Sequence, residues 1–113
     1  ASSKDANYSF IPKDYAIPAD ADYFHCTSNN TIFGTQMKSF PKTGIPMVCD
    51  MSSDIFSRPV DISKYHLIYA GAQKNLGCAG ITLIIIKNEW LGRSKRPKSK
   101  MWDYSIYAKN CFY

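Results

Sequence analysis

The chain has 113 residues, 45% of them hydrophobic, and fourteen basic residues against nine acidic ones give a net charge of +5. That length allows at most one ordinary domain, and that composition excludes a disordered or collagen-like chain. The longest apolar run, Ile81 to Ile86, is interrupted by Thr82 and is far too short to cross a bilayer, so no membrane partner is expected.

Ala1 to Ala21 is mostly polar, carries Pro12 and Pro18, and reads as extended chain over the surface of something larger. It has no charged-then-apolar pattern of a secretory signal, so the matches to the glycosylation sequon at Asn7 and Asn29 read as chance. Tyr23 to Ser28 is the first good strand, ended by the polar cluster Asn29-Asn30-Thr31. Ile32 to Thr35 contains a turn glycine, Pro41 to Gly44 is a surface loop, and Pro46 to Met51 is the second strand. Ser52 to Pro59 is a loop or short helix stopped by its proline, and Asp61 to Tyr65 forms about one helical turn.

Leu67-Ile68-Tyr69-Ala70-Gly71-Ala72-Gln73-Lys74-Asn75 starts as a continuous apolar run, the pattern of a strand buried on both faces. Two small residues clear space around the backbone, and Lys74 stands where the strand should end. A lysine there has either emerged into solvent or is an amine held in a desolvated pocket to form a Schiff base with a carbonyl. The turn Gly77 to Gly80 leads into a strand over Ile81 to Lys87. Asn88 is placed to cap a short helix, Glu89 to Leu91, which Gly92 ends. Met101 to Tyr113 is aromatic and weakly patterned.

Cys26, Cys49, Cys78 and Cys111 are widely spaced, without a CxxC pair or a histidine at ligand spacing. Neither a zinc site nor a disulfide framework suits that spacing, and reduced thiols in a cytoplasmic protein are expected, with no metal. Six of the fourteen basic residues fall between Lys87 and Lys100: Lys87, Arg93, Lys95, Arg96, Lys98 and Lys100. The run could grip a polyanion, which keeps a basic binding module as a rival reading. It lacks interleaved aromatics, however, and reads as a solvated loop, so no nucleic-acid partner is expected. Strands of this kind need helices over both faces, yet no amphipathic pattern here exceeds about two turns. The chain is therefore expected to be a piece of a larger α/β domain and not an independent module.

The second strand ends at Asp50, before Met51-Ser52-Ser53. A carboxylate at the carboxyl end of a strand points into the crevice where α/β folds bind ligands. Asp50, Lys74 and the hydroxyl of Thr31 are thus candidates to converge on one rim. That trio suits pyridoxal phosphate, which needs a lysine for its aldehyde and an acid for its pyridine nitrogen. Gln73 and the hydroxyls of Ser52 and Ser53 could meet its phosphate. A salt bridge between Asp50 and Lys74 would explain their pairing but not the hydroxyls around them. The glycines near Lys74 make a poor P-loop, because they lead into a strand and not a helix.

Ala21 to His25, Thr27 to Thr35, Val48 to Ile55, Ser57 to Tyr65 and Ile68 to Asn75 together resemble the phosphoserine aminotransferases, a family of fold-type I pyridoxal-phosphate enzymes. The resemblance implies that Lys74 is the Schiff-base lysine, that Asp50 pairs with the pyridine nitrogen, that Thr31 bonds to the cofactor and that Gln73 binds its phosphate. It also implies a mostly parallel large-domain sheet with an antiparallel strand after the lysine. The implied reaction moves an amino group between glutamate and 3-phosphohydroxypyruvate, giving phosphoserine and 2-oxoglutarate in serine biosynthesis. Many bacterial members also act on an intermediate of pyridoxine biosynthesis.

Cytoplasmic homodimers with active sites at the dimer interface are implied as well. In these terms residues 1–21 are an extended leading segment, 22–92 the sheet and cofactor core, and 93–113 a basic loop and the start of the next segment. Cys78 stands where the family has proline or a small polar residue. The ring that stacks on the cofactor and a substrate-binding arginine are expected upstream of Ala1, and an Asn-Thr pair that one subunit lends to the other just after Tyr113. His25 and His66 read as structural. Another fold-type I enzyme remains the nearer rival.

Overall fold

In a computed structural model, which describes residues 2–110, the strands in chain order are β1 (Phe24–Thr27), β2 (Asn29–Asn30), β3 (Thr35–Gln36), β4 (Met47–Asp50), β5 (Leu67–Gly71) and β6 (Thr82–Ile86). One α-helix, α1 (Tyr104–Asn110), follows them among the described residues. Four strands form a mixed sheet in the order β1-β4-β5-β6, in which β1, β4 and β5 run parallel and β6 runs antiparallel beside β5. A parallel pair needs a long crossover, and residues 28–46 and 51–66 supply the two here. The return from β5 to β6 is the short loop 72–81, too short for the crossover a parallel pair needs, and the pairing is antiparallel.

Two transverse rows define the faces of this sheet. Cys26, Cys49, Ile68 and Ile85 are aligned by register on one face. Met47, Met51, Ile55, Tyr65 and Ala70 join them in the core, with Ile68 1% and Cys49 0% exposed. Thr27, Asp50, Tyr69 and Ile84 are aligned on the opposite face, which is only partly covered. The alternation along β4 and β5 is therefore buried-in, half-open-out. The apolar run of β5 led to an expectation of two buried faces; in this chain one face is packed and the other waits for cover.

The second sheet is the antiparallel hairpin β2–β3, with Asn29 opposite Gln36 and Asn30 opposite Thr35. The sequence shows only a polar cluster there, because two-residue strands are too short to display alternation. Gly34 takes φ +66° in the hairpin turn, a left-handed conformation that favours glycine. Asn88 is not the expected cap. The ladder runs one residue further, with Lys87 N–H donating to His66 O at 3.0 Å. Asn88 thus becomes the first residue of a 3-10 turn, Asn88–Trp90, preceded by Lys87 without a side-chain cap.

Lys4–Ala6 also forms a 3-10 turn inside the segment expected to be extended. Helix α1 emerges from the weakly patterned stretch because Asp103 caps it, its Oδ1 accepting from Ser105 N–H at 3.1 Å. The expectations for Ala1, and for residues 111–113 with the Cys111 thiol, lie outside the described residues. Among the described residues, no helix is long and apolar enough to cross a membrane.

Candidate active site

β1, β4 and β5 point the same way, so their carboxyl ends form one rim, and the sequence-predicted residues sit along it. Asp50 closes β4 on the half-open face, flanked in register by Thr27 and Tyr69. Its Oδ1 accepts from Ser52 N–H at 2.8 Å, so the turn leaving the strand fixes the carboxylate. Ser52 Oγ in turn accepts from Gly71 N–H at 3.0 Å, tying the end of β4 to the end of β5.

Beyond Gly71 the chain turns sharply, with Gly77 N–H donating to Ala72 O at 2.7 Å and Ala72 N–H to Ile81 O at 2.9 Å. Lys74 lies in this turn, exposed, and its Nζ donates to Thr31 Oγ1 at 3.0 Å. Thr31 is supplied by the β2–β3 turn, in which Asn30 Oδ1 accepts from the Ile32 and Phe33 amides at 3.1 and 3.4 Å. Gln73 folds back over Gly71. A Cβ built on Gly71 would fall 2.6 Å from Gln73 Oε1, so a side chain at residue 71 would push the flexible end of Gln73 aside.

A buried polar knot holds the three loops in place. Asp54 is 6% exposed, and its carboxylate accepts from the Ser28 hydroxyl and, at 2.9 Å, from Gln36 Nε2. Arg58 lies 3.6 Å from the same carboxylate and donates to Met37 O at 2.7 Å. Ser53 and Asn29 bond reciprocally: Asn29 Nδ2 donates to Ser53 Oγ at 2.9 Å, and Ser53 Oγ donates to Asn29 O at 3.1 Å. Asn75 Nδ2 donates to Ile55 O, anchoring the lysine turn. The hairpin bearing Thr31 and the turn bearing Lys74 are thus both fastened to the segment that follows Asp50.

Four expected residues therefore share one rim: Thr31 and Lys74 in direct contact, Gln73 beside Gly71, and Asp50 at the neighbouring strand end. The hydroxyls of Ser52 and Ser53, expected as candidates for a phosphate contact, lie at the same rim, where Ser52 Oγ holds Gly71 N–H and Ser53 Oγ holds Asn29. Sequence reading missed the Asp54 knot, although a carboxylate directly after two serines is a polar cluster of the kind that closes loops. It also set aside His25, whose Nε2 lies 3.0 Å from the Tyr69 hydroxyl on the face of Asp50. Burial first, and then the charge of Asp50, hold the Tyr69 phenol above its ordinary pKa.

His66 behaves as expected of a structural residue. Its Nδ1 accepts from Met47 N–H at 3.3 Å, while its backbone N–H donates to Met47 O at 2.8 Å. Cys26 and Cys49, partners in register on the packed face, and the exposed Cys78 are free thiols.

A sequence profile of the family described as aminotransferase class-V matches residues 4–102. A phosphoserine aminotransferase of Flavobacterium johnsoniae is 67% identical over 108 residues, covering 96% of this chain and 30% of the relative. One of Bacteroides thetaiotaomicron is 57% identical over 110 residues, covering 97% of this chain and 31% of the relative. Among solved structures, a phosphoserine aminotransferase from Bacillus circulans subsp. alkalophilus superposes with a TM-score of 0.88 at 45% identity, covering 96% of this chain and 31% of that one. A phosphoserine aminotransferase from Trichomonas vaginalis with bound pyridoxal phosphate gives 0.83 at 38% identity, with 93% and 32% covered. The chain thus spans about 30% of the length of the curated relatives it matches.

Proposed function

Because the chain belongs to the aminotransferase class-V family, we propose that it is the cofactor-binding part of the large domain of a phosphoserine aminotransferase. Residues 1–21 are then a leading segment, 22–92 the sheet and site, and 93–113 the passage to the next segment. The parent transfers an amino group between L-glutamate and 3-phosphohydroxypyruvate, yielding O-phospho-L-serine and 2-oxoglutarate. We read it as a cytoplasmic homodimer acting in serine biosynthesis.

The observation that carries this reading is the contact between Lys74 Nζ and Thr31 Oγ1 at a rim that also holds Asp50 and Gln73. The donor set fits pyridoxal phosphate. It offers an amine for an aldehyde, a carboxylate for a protonated ring nitrogen, a hydroxyl, and the Gln73 amide resting over Gly71. When bound, the cofactor supplies an aldehyde for amines and a ring that accepts the electrons released at the substrate's α-carbon.

The chain's own residues do the rest. Lys74 Nζ takes the substrate's α-proton and gives it back, as a general base and then an acid. Thr31 Oγ1 holds that amine in place between events, so its flexible four-carbon stem is not free to wander. The carboxylate of Asp50, fixed by Ser52 N–H, keeps a positive charge on the ring side of the site. The Gln73 amide donates to a phosphate.

Borohydride reduction of the full-length protein with pyridoxal phosphate tests the assignment. Peptide mapping should find the cofactor fixed on Lys74, and label on any other lysine would overturn it.

A further inference from the structure

Two polar side chains on the half-open face, His25 and Tyr69, have no part in the site as proposed. Parity places both beside Asp50. Tyr69 is the register partner of Asp50 on β5, and His25 is two residues before Thr27, the partner of Asp50 on β1. Strands β1 and β5 are not neighbours, since β4 runs between them. The His25 and Tyr69 side chains nevertheless meet, with Nε2 and the hydroxyl 3.0 Å apart and the rings stacked at 6.0 Å with 27° between planes. They arch over β4 next to its terminal carboxylate.

We propose that Tyr69, anchored by His25, is a positioning residue for Asp50 whose hydroxyl sets the proton affinity of that carboxylate. The inference rests on the reading of Asp50 as the partner of the cofactor's ring nitrogen. A phenol has one proton to give and lone pairs to receive with. With Nε2–H of His25 donating to the phenol oxygen, the phenol's own proton is directed to the side where Asp50 lies. The groups facing Tyr69 allow this assignment. On β1 the titratable neighbour is His25, on β4 it is Asp50, and β6 presents Ile84; Cys49 lies on the opposite face. Burial and the charge of Asp50 keep the phenol protonated, and therefore a donor, at neutral pH.

A hydrogen bond given to a carboxylate stabilises its charged form and makes it a weaker base. A weaker base at Asp50 leaves the shared proton on the ring nitrogen. Removing the hydroxyl therefore draws that proton toward Asp50. Because His25 acts only through Tyr69, removing His25 has a smaller effect of the same sign.

The test uses the full-length protein loaded with pyridoxal phosphate labelled with ¹⁵N in its ring, the nitrogen resonance reporting protonation directly. Tyr69→Phe keeps the ring and the stacking and should move the resonance toward that of unprotonated pyridine. His25→Leu should move it the same way by less, His25→Gln should restore part of the shift, and the double variant should go no further than Tyr69→Phe alone. A resonance that stays put or moves the other way in Tyr69→Phe overturns the proposal, as do shifts that simply add in the double variant. Should Tyr69→Phe not fold, His25→Leu decides, a shift supporting the proposal and none defeating it. Failure of the unsubstituted protein to retain cofactor on Lys74 is a separate result, and overturns the site reading beneath.

Discussion

Lys74 Nζ donates to Thr31 Oγ1 at 3.0 Å, joining a turn after β5 to a hairpin that follows β1, 43 residues earlier in the chain. A hydroxyl holding a charged amine contributes on the order of 1.5–3 kcal/mol when the bond is sheltered, and less when water competes. Thr31→Val in the full-length protein removes the acceptor at nearly constant volume. Cofactor affinity, followed by the visible absorption of the bound form, should fall by about tenfold. Thr31→Ser should recover most of it. Unchanged affinity in Thr31→Val would detach Thr31 from the site.

Asp50 supplies the second prediction. Asp50→Asn keeps an acceptor for Ser52 N–H but loses the charge, whereas Asp50→Ala loses both. Both should lower kcat in the full-length protein by on the order of a hundredfold or more, with the thermal midpoint of Asp50→Asn little changed. Near-normal turnover in either variant would remove Asp50 from its role.

Much of this site is legible in the residues themselves. An apolar run that ends in a lysine, and another that ends in an aspartate, say where two strands stop. They also say that two chemically complementary groups stand at those stops. Parity along each strand further divides its residues between two faces. What parity does not supply is register. His25, Asp50 and Tyr69 belong on one face only once Thr27 is known to stand opposite Asp50, and Asp50 opposite Tyr69. Register between strands separated by long crossovers is set by packing of the whole sheet, which no local pattern encodes. The Asp54 knot was hidden for a related reason. Its members come from residues 28, 36, 54 and 58, and each reads singly as an ordinary loop residue.

That knot makes the third prediction. Asp54 is a nearly buried carboxylate with bonds to Ser28 and Gln36 and a partner in Arg58. Asp54→Ala leaves the Gln36 amide without its acceptor and the Ser28 hydroxyl with only the Asp50 carbonyl, a cost of about 1–3 kcal/mol for a sheltered group left unpaired. Urea denaturation of the full-length protein should show that loss. Cofactor affinity should fall as well, because the hairpin that carries Thr31 is no longer fastened. Undiminished stability would show that the knot is not what fixes the hairpin.

A fourth prediction concerns pH. Burial first, and then the charge of Lys87, lower the pKa of His66 below its ordinary value of 6.5, with Glu89 opposing and Arg93 assisting. The fold holds this ring neutral, because Nδ1 accepts from Met47 N–H. The unfolded chain therefore binds a proton here more readily than the folded one, so stability rises with pH across this range. The contribution is fully present above the ordinary value and is lost as pH falls below it toward the folded value. Urea midpoints of the full-length protein taken from about pH 7.5 to 5.5 should decline, and His66→Gln should flatten that decline. An identical slope in both proteins would clear His66 of the effect.

The last prediction follows from the unequal faces of the sheet. Cys26, Cys49, Ile68 and Ala70 are packed on one side by Met51, Ile55, Tyr65 and their neighbours. On the other side Val48, Leu67, Ile84 and Ile86 stand in a half-covered row beside Asp50 and Tyr69. Apolar area left in water contributes nothing to folding and invites association with other chains. The 113-residue chain expressed alone should therefore aggregate or melt without a cooperative transition, and should show no transaminase activity when supplied with pyridoxal phosphate. Sedimentation velocity and a thermal melt check the first outcome, and a coupled assay with phosphoserine and 2-oxoglutarate checks the second. A monomer that melts cooperatively and turns over substrate would mean that this sheet needs no second cover and that its rim is a complete site.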